Sequence, residues 1–227
     1  MTSGGDDSCQ FEFQRSLKGA HQYPVIRYIR IERFITRPLA SLVVRALFNT
    51  RITPNQLTVV ASLVGMAGGL LYLGAGQPWF AAAGLVVQCS SILDCADGML
   101  ARARGACTEY GAYLDPFLDR IVDFFIFAGI ALGYFLQSRD VLFLCLSLAG
   151  IAVHYLQLSL YYLTRLYRKD RKLGDCAEAR GFSIVVILVL SLTGQLRWLI
   201  LLFSLVWLGS LAAKTVQLVR WGWSARE

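Results

Sequence analysis

Asp94 and Asp97 stand three residues apart, and Asp115 and Asp119 four apart, so each pair shares one face if its segment is helical. Two such pairs brought together would offer only hard oxygen donors, the ligand type that suits Mg²⁺ or Mn²⁺. Gly98 and Ala101 flank the first pair, and Gly111 precedes Asp115 by one turn. Side chains this small leave room for a flat ligand such as a nucleotide base, although singly each is an ordinary helix-packing contact. A competing reading makes the aspartates interfacial carboxylates neutralised by Arg102, Arg104 and Arg120.

The surroundings of these residues are apolar. Of 227 residues 56% are hydrophobic and 16% charged, against about a quarter charged in soluble domains, and mean hydropathy is +0.53. Lipid is therefore expected as the solvent for much of the surface. The fold class expected is an all-α integral membrane protein, with six transmembrane helices preceded by an amphipathic interfacial helix. Hydropathy places the spans near 56–74, 79–101, 110–136, 140–163, 181–196 and 198–219, each approaching the roughly 20 apolar residues that cross a bilayer. The fifth is short at its apolar centre and is expected to begin before Gly181.

Depth then brings the aspartates together. Asp94 and Asp97 lie 15 and 18 residues in from Trp79, roughly 22–27 Å along a helix. Asp119 and Asp115 lie 17 and 21 residues back from Leu136, roughly 25–32 Å. If the two spans are antiparallel neighbours, four carboxylates meet near the inner edge of the hydrocarbon. One aspartate at mid-span costs about 2.5–3.5 kcal/mol on insertion scales, and bound cations would offset both that cost and the mutual repulsion.

Three regions are expected: a polar leader at 1–22, an interfacial amphipathic helical segment at 23–52, and a six-helix transmembrane catalytic domain at 53–227. In the second, Arg27, Arg30, Arg33 and Arg37 share one helical face, and Pro38 opens a helix in which Leu39, Leu42, Val43 and Leu47 recur at helical spacing. Such a stretch suits the inner leaflet; a soluble regulatory arm is the alternative. Thr53-Pro54 marks a capped helix start, and Gly74 to Pro78 a tight turn. Basic residues crowd the segment before the first span, the connection from Arg165 to Arg180 and the tail, whereas the opposite side holds Arg139 and Arg197. The positive-inside rule thus puts both termini and the acidic site on the cytoplasmic side. Spread among apolar spans, these charges suit anionic lipid headgroups rather than nucleic acid. The cysteines lack paired metal-site spacing and are expected as free thiols, and the polar start with Asp6, Asp7 and Glu12 lacks a cleavable-signal pattern.

The run Asp94-x2-Asp97-Gly98-x2-Ala101-Arg102-x8-Gly111-x3-Asp115-x3-Asp119 resembles the full signature of the CDP-alcohol phosphotransferase family. The resemblance extends to the six-span layout, the interfacial helix and the Thr53 to Thr58 stretch, covering nearly everything after residue 24. It implies an integral-membrane homodimer whose site opens to the cytoplasm and to lipid. It implies two divalent ions, Mg²⁺ or Mn²⁺, bound by Asp94, Asp97, Asp115 and Asp119. Asp119 would also be the general base, accepting a proton from an acceptor hydroxyl that attacks the phosphorus distal to cytidine and releases CMP. A base that also touches metal is weakened, so polarisation of that hydroxyl by the metal is the alternative route. Asp94, Gly98, Ala101, Arg102 and Gly111 would line the CMP pocket, with Asn55 and Thr58 near the nucleotide phosphates.

The donor implied is CDP-linked, of CDP-diacylglycerol or CDP-inositol type, and the acceptor an alcohol or phosphorylated alcohol. Arg165, Arg168 and Arg180 fall at the inner ends of the fourth and fifth spans. Arginine suits bidentate phosphate recognition, so they are either acceptor ligands or positive-inside anchors. The order Arg30-Ile-Glu-Arg-Phe-Ile-Thr-Arg-Pro resembles the inositol-phosphate-transferring branch. Asp123 is expected beside an arginine, and His154 in a structural polar contact. A UbiA-type prenyltransferase would hold its aspartate motifs far apart on a longer chain. A cation or proton transporter would show paired halves with a midplane site, whereas these acids lie in one half.

Overall fold

The computed structural model describes residues 35–168 and 177–224, with side chains outside that description at 161–168, 177–182, 214 and 217–224. The leader 1–22, the arginines of 27–33 and the loop 169–176 thus lie outside the described residues. The described chain is helical: α1 (Thr36–Leu47), α2 (Pro54–Leu71), α3 (Gln77–Ala103), α4 (Glu109–Ser138), α5 (Val141–Arg168), α6 (Ala177–Leu192) and α7 (Leu196–Ser224). Five stretches are long and apolar enough to cross a membrane: Pro54–Gly74, α3, α4, Val141–Leu160 and Leu196–Ala213. The chain is a multi-pass membrane protein by that measure. α6 does not join them. Its apolar part among the described residues, Ser183–Leu192, is shorter than theirs. It ends at Leu192 rather than 196 because Gly194, at φ +71°, turns the chain into α7. Leu63, Leu142, Trp198 and Leu205 stand on outer faces, each more than half exposed, where lipid would cover them.

α2 is the central element. It packs broadly against both α3 and α4, whereas α3 and α4 barely touch along their lengths. The crossing of α2 with α4 is made of glycines. A Cβ on Gly129 would strike the Gly69 carbonyl, one on Gly133 the Tyr72 carbonyl, and one on Gly69 the backbone of Phe125. Without side chains the two backbones approach closely, the usual basis of helix association in lipid. On its other side α2 is fixed by the Ser90 hydroxyl of α3, which donates to the Ala61 carbonyl at 2.8 Å.

At one end of the bundle, Tyr72 and Ser191 share a 2.7 Å hydrogen bond, both fully buried. The Gln77 amide donates to the Leu192 carbonyl at 2.7 Å, and Gly84 leaves room for Ser191. These contacts hold α6 against the start of α3. The turn there is tighter than expected: a 3-10 turn ends at Gly74, Ala75 takes φ +50°, and α3 begins at Gln77 with Pro78 already inside it.

α1 lies along the second half of α3, from Gln88, whose amide reaches the Thr36 hydroxyl at 3.4 Å, to Arg104. Thr36, Ala40 and Val44 form its buried face. Leu39 and Leu42, expected to define an apolar stripe, are 43% and 58% exposed. Small residues face the bundle because close packing needs them, and the leucines are left to lipid. Ala40 and Val44 join Leu57, Ala96 and Leu100 in a compact cluster, and Ala96 immediately precedes Asp97 in α3.

Candidate functional site

α3 ends where Gly105 adopts φ +60°, with its amide donating to Arg102 and the next amide to Ala101. This glycine cap stops the helix. Thr108 then caps α4, its hydroxyl accepting from the Gly111 amide at 3.0 Å. The short connection returns the chain so that the last turns of α3 and the first turns of α4 end at one level. One carboxylate oxygen each of Asp94, Asp97 and Asp115 lies within 4.8 Å of the others. Equal depth was legible from the spans. That the two acidic helices would converge without packing on each other was not: α2 lies against both.

Asp97 is 5% exposed, and its Oδ2 has no hydrogen-bond partner among the described residues. A buried carboxylate oxygen in that state is costly. An all-oxygen trio with an orphaned buried oxygen fits a hard divalent cation. Asp119 sits one turn beyond Asp115 and is not among the three. Its carboxylate is 3.9 Å from the Arg120 guanidinium and 17% exposed.

The start of α2 completes the site. Thr53 and Gln56 form a reciprocal cap, with the Gln56 amide donating to the Thr53 hydroxyl at 3.3 Å and the Thr53 amide to Gln56 Oε1 at 2.9 Å. Proline at the first helical position reinforces it. One turn on, the Thr58 hydroxyl lies 3.1 Å from the Pro54 carbonyl and within bonding reach of the Asp97 carboxylate. Asn55 leans on α4: its Oδ1 is 2.9 Å from where a Cβ on Gly111 would stand. The space at Gly111, read from sequence as part of a ligand slot, is thus taken by Asn55. Gly98 keeps its opening, bordered by the exposed Arg102, whose guanidinium is 3.4 Å from a Cβ placed there. Ala101 is half-buried on the same helix end.

The arginines that the competing reading would pair with the aspartates divide their work. Arg120 reaches Asp119 and, at 3.6 Å, Asp123, so Asp123 does lie beside an arginine. The Tyr155 hydroxyl donates to the Arg120 carbonyl at 2.7 Å, tying α5 to this turn of α4. Arg104 turns away to backbone carbonyls of residues 47–52. Sequence reasoning missed that role, although Gly105 marks Arg104 as a helix end free to reach a neighbouring loop. The His154 ring packs between Trp207 and Phe127, with centroids 4.5 and 5.8 Å away. Arg165 and Arg168 fall on the end of α5 and Arg180 on the start of α6; their side chains lie outside the described residues.

Comparisons with known proteins place the chain among relatives of one kind. The chain is 30% identical over 191 residues to a bifunctional IPC transferase and DIPP synthase of Archaeoglobus fulgidus, covering 83% of this chain and 38% of that protein. It is 38% identical over 102 residues to an archaetidylinositol phosphate synthase of Pyrococcus horikoshii, covering 45% of this chain and 52% of that one. The chain thus spans only about two fifths to half of these curated relatives. The crystal structure of Mycobacterium tuberculosis phosphatidylinositol phosphate synthase with CDP-DAG bound superposes with a TM-score of 0.63 at 21% identity, covering 78% of this chain and 91% of that one. That likeness shows the fold. The same enzyme in complex with manganese and citrate superposes with a TM-score of 0.58 at 20% identity. The family model described as CDP-alcohol phosphatidyltransferase matches residues 51–210, most of the chain and every aspartate of the site, and the chain belongs to that family.

Proposed function

We propose that this protein moves a substituted phosphate from a CDP-linked donor to an acceptor hydroxyl and releases CMP. The observation that carries the proposal is the carboxylate trio within 4.8 Å, with an orphaned buried oxygen on Asp97. Asp94, Asp97, Asp115 and Asp119 would hold two divalent ions, Mg²⁺ or Mn²⁺, which supply neutralisation of the pyrophosphate charge. Arg102 and the open flank at Gly98 and Ala101 seat the cytidine, with Asn55, Thr58 and Gly111 fixing the nucleotide end of the donor. Asp119 takes the proton of the acceptor hydroxyl. The acceptor oxygen then bonds to the phosphorus distal to cytidine, the bond to the bridging oxygen breaks, and CMP leaves with that oxygen. Little beyond positioning and electrostatics is required, because CMP is a ready-made leaving group.

The acceptor is an inositol phosphate or a related phosphorylated alcohol, in keeping with the named activities of the relatives. Arg165 and Arg168 near the end of α5 and Arg180 near the start of α6 would be its phosphate ligands, since arginine suits bidentate phosphate recognition. CDP-diacylglycerol is the favoured donor and CDP-inositol the second. The remaining topology rests on charge and helix order: α1 lies along the inner leaflet, α6 completes a sixth crossing, and both termini and the site face the cytoplasm. The protein works as a homodimer.

Purified protein with Mn²⁺ and CDP-diacylglycerol is expected to release CMP on addition of inositol phosphate, and Asp119→Asn to reduce that release at least about a hundredfold, the scale of a lost general base. Equal rates for wild type and Asp119→Asn refute the assigned role. A parallel screen of glycerol phosphate, serine, inositol and choline identifies the acceptor.

A further inference from the structure

The Arg104 guanidinium makes one concentrated set of contacts. Its Nε donates to the Phe48 carbonyl at 3.1 Å. One terminal nitrogen donates to Ile52 at 2.5 Å. The other donates to Phe48 at 2.8 Å and Thr50 at 2.9 Å, and also to the Leu47 carbonyl. One side chain thus gathers four carbonyls spread over the whole connection between α1 and α2. Carbonyls at a helix C-terminus lack partners and carry partial negative charge, so a planar five-donor cation suits them better than a point charge does.

The α1–α2 connection leads directly into the nucleotide end of the site. Thr53 caps α2 immediately after Ile52, Asn55 stands against Gly111, and Thr58 reaches Asp97. Arg102 lies two residues before Arg104 on the same helix end. We infer that Arg104 is a positioning residue for nucleotide binding: it joins the end of α3 to the entry of α2 and so sets Asn55 and Thr58 against Arg102 and Gly98. Arg104 itself touches no substrate in this scheme. The inference rests on the CMP pocket proposed above.

The test measures CMP affinity of the purified full chain in detergent with Mn²⁺, by equilibrium binding of labelled CMP, so that no acceptor is needed. Arg104→Ala is expected to weaken CMP binding about tenfold, the effect of roughly 1.4 kcal/mol. Arg104→Lys should recover only part of it, because one ammonium cannot serve four separated carbonyls. In an Asn55→Ala background, Arg104→Ala should add less than twofold, since both losses pass through the same contact. The comparison variant is Arg102→Ala. If Arg102→Ala loses CMP while Arg104→Ala stays within twofold of wild type, the positioning role is overturned and the pocket stands. If Arg102→Ala also leaves CMP affinity unchanged, the pocket reading fails instead. Should Arg104→Ala not yield monodisperse protein, Arg104→Lys decides alone: wild-type CMP affinity overturns the inference. Full additivity with Asn55→Ala, or an Asn55→Ala variant that binds CMP normally, overturns the proposed route.

Discussion

Asp97→Asn should make the metal-free protein more stable and the metal-loaded protein less so. Asp97 lies within 4.8 Å of both Asp94 and Asp115 and is 5% exposed. Two unit charges at that distance repel by about 3.5 kcal/mol at an effective dielectric near 20, and by about 0.9 kcal/mol if water screened them fully. Asp97 faces two such neighbours, so with every carboxylate ionised its repulsion lies between about 2 and 7 kcal/mol. Proton uptake and relaxation trim the upper figure, leaving an expected gain of about 2 kcal/mol for metal-free Asp97→Asn. Asparagine keeps the shape and can accept from Thr58. The opposite term appears with cation: Mn²⁺ at a hundred times its dissociation constant stabilises wild type by about 2.7 kcal/mol, most of which the amide forfeits. The assay is thermal unfolding in detergent, followed by tryptophan fluorescence at pH 8, in EDTA and again in millimolar Mn²⁺. The variant should unfold above wild type in EDTA and below it, or level with it, in Mn²⁺. Identical Mn²⁺ shifts in the two proteins refute the reasoning, because Asp97 would then be neither strained without metal nor a ligand with it.

Gly129→Val places two methyl groups against the Gly69 carbonyl and should cost at least about 2 kcal/mol by forcing the α2–α4 crossing apart, read as lost thermal stability. Gly209→Val, where nothing among the described residues lies within 4 Å, should be close to neutral in the same measurement. Tyr72→Phe strands the fully buried Ser191 hydroxyl and should cost about 1–3 kcal/mol. Adding Ser191→Ala should recover part of that loss, which a double-mutant cycle would show as non-additivity. On the acceptor side, Arg165→Ala should raise the apparent KM for inositol phosphate far more than that for CDP-diacylglycerol, read from CMP release.

The spacing of the aspartates, their small neighbours and their depth were all legible in the chain, because helical periodicity and span length are local properties. So were the Thr53-Pro54 helix start and Asp123 beside an arginine. Other readings depended on what lies across space. The competing reading made Arg104 a counter-ion for the carboxylates, but its guanidinium is spent on carbonyls some fifty residues earlier. Gly111 read as a gap for ligand, yet Asn55 fills it. Leu39 and Leu42 read as the stripe of α1, but in a bundle surrounded by lipid the leucines gain nothing by turning inward, and Thr36, Ala40 and Val44 pack there instead.

The sequence by itself determined which carboxylates share a helix face and the level at which they sit, since both depend only on residue spacing and rise along a helix. Only the tertiary structure decided how they meet. Gly69, Gly129 and Gly133 let α2 press closely against α4, and α2 also supports α3, so the two acidic helices converge without packing on each other. That arrangement leaves Asp97 buried with an unpartnered oxygen. It is a consequence of close backbone contact between residues some sixty positions apart, which no local pattern encodes.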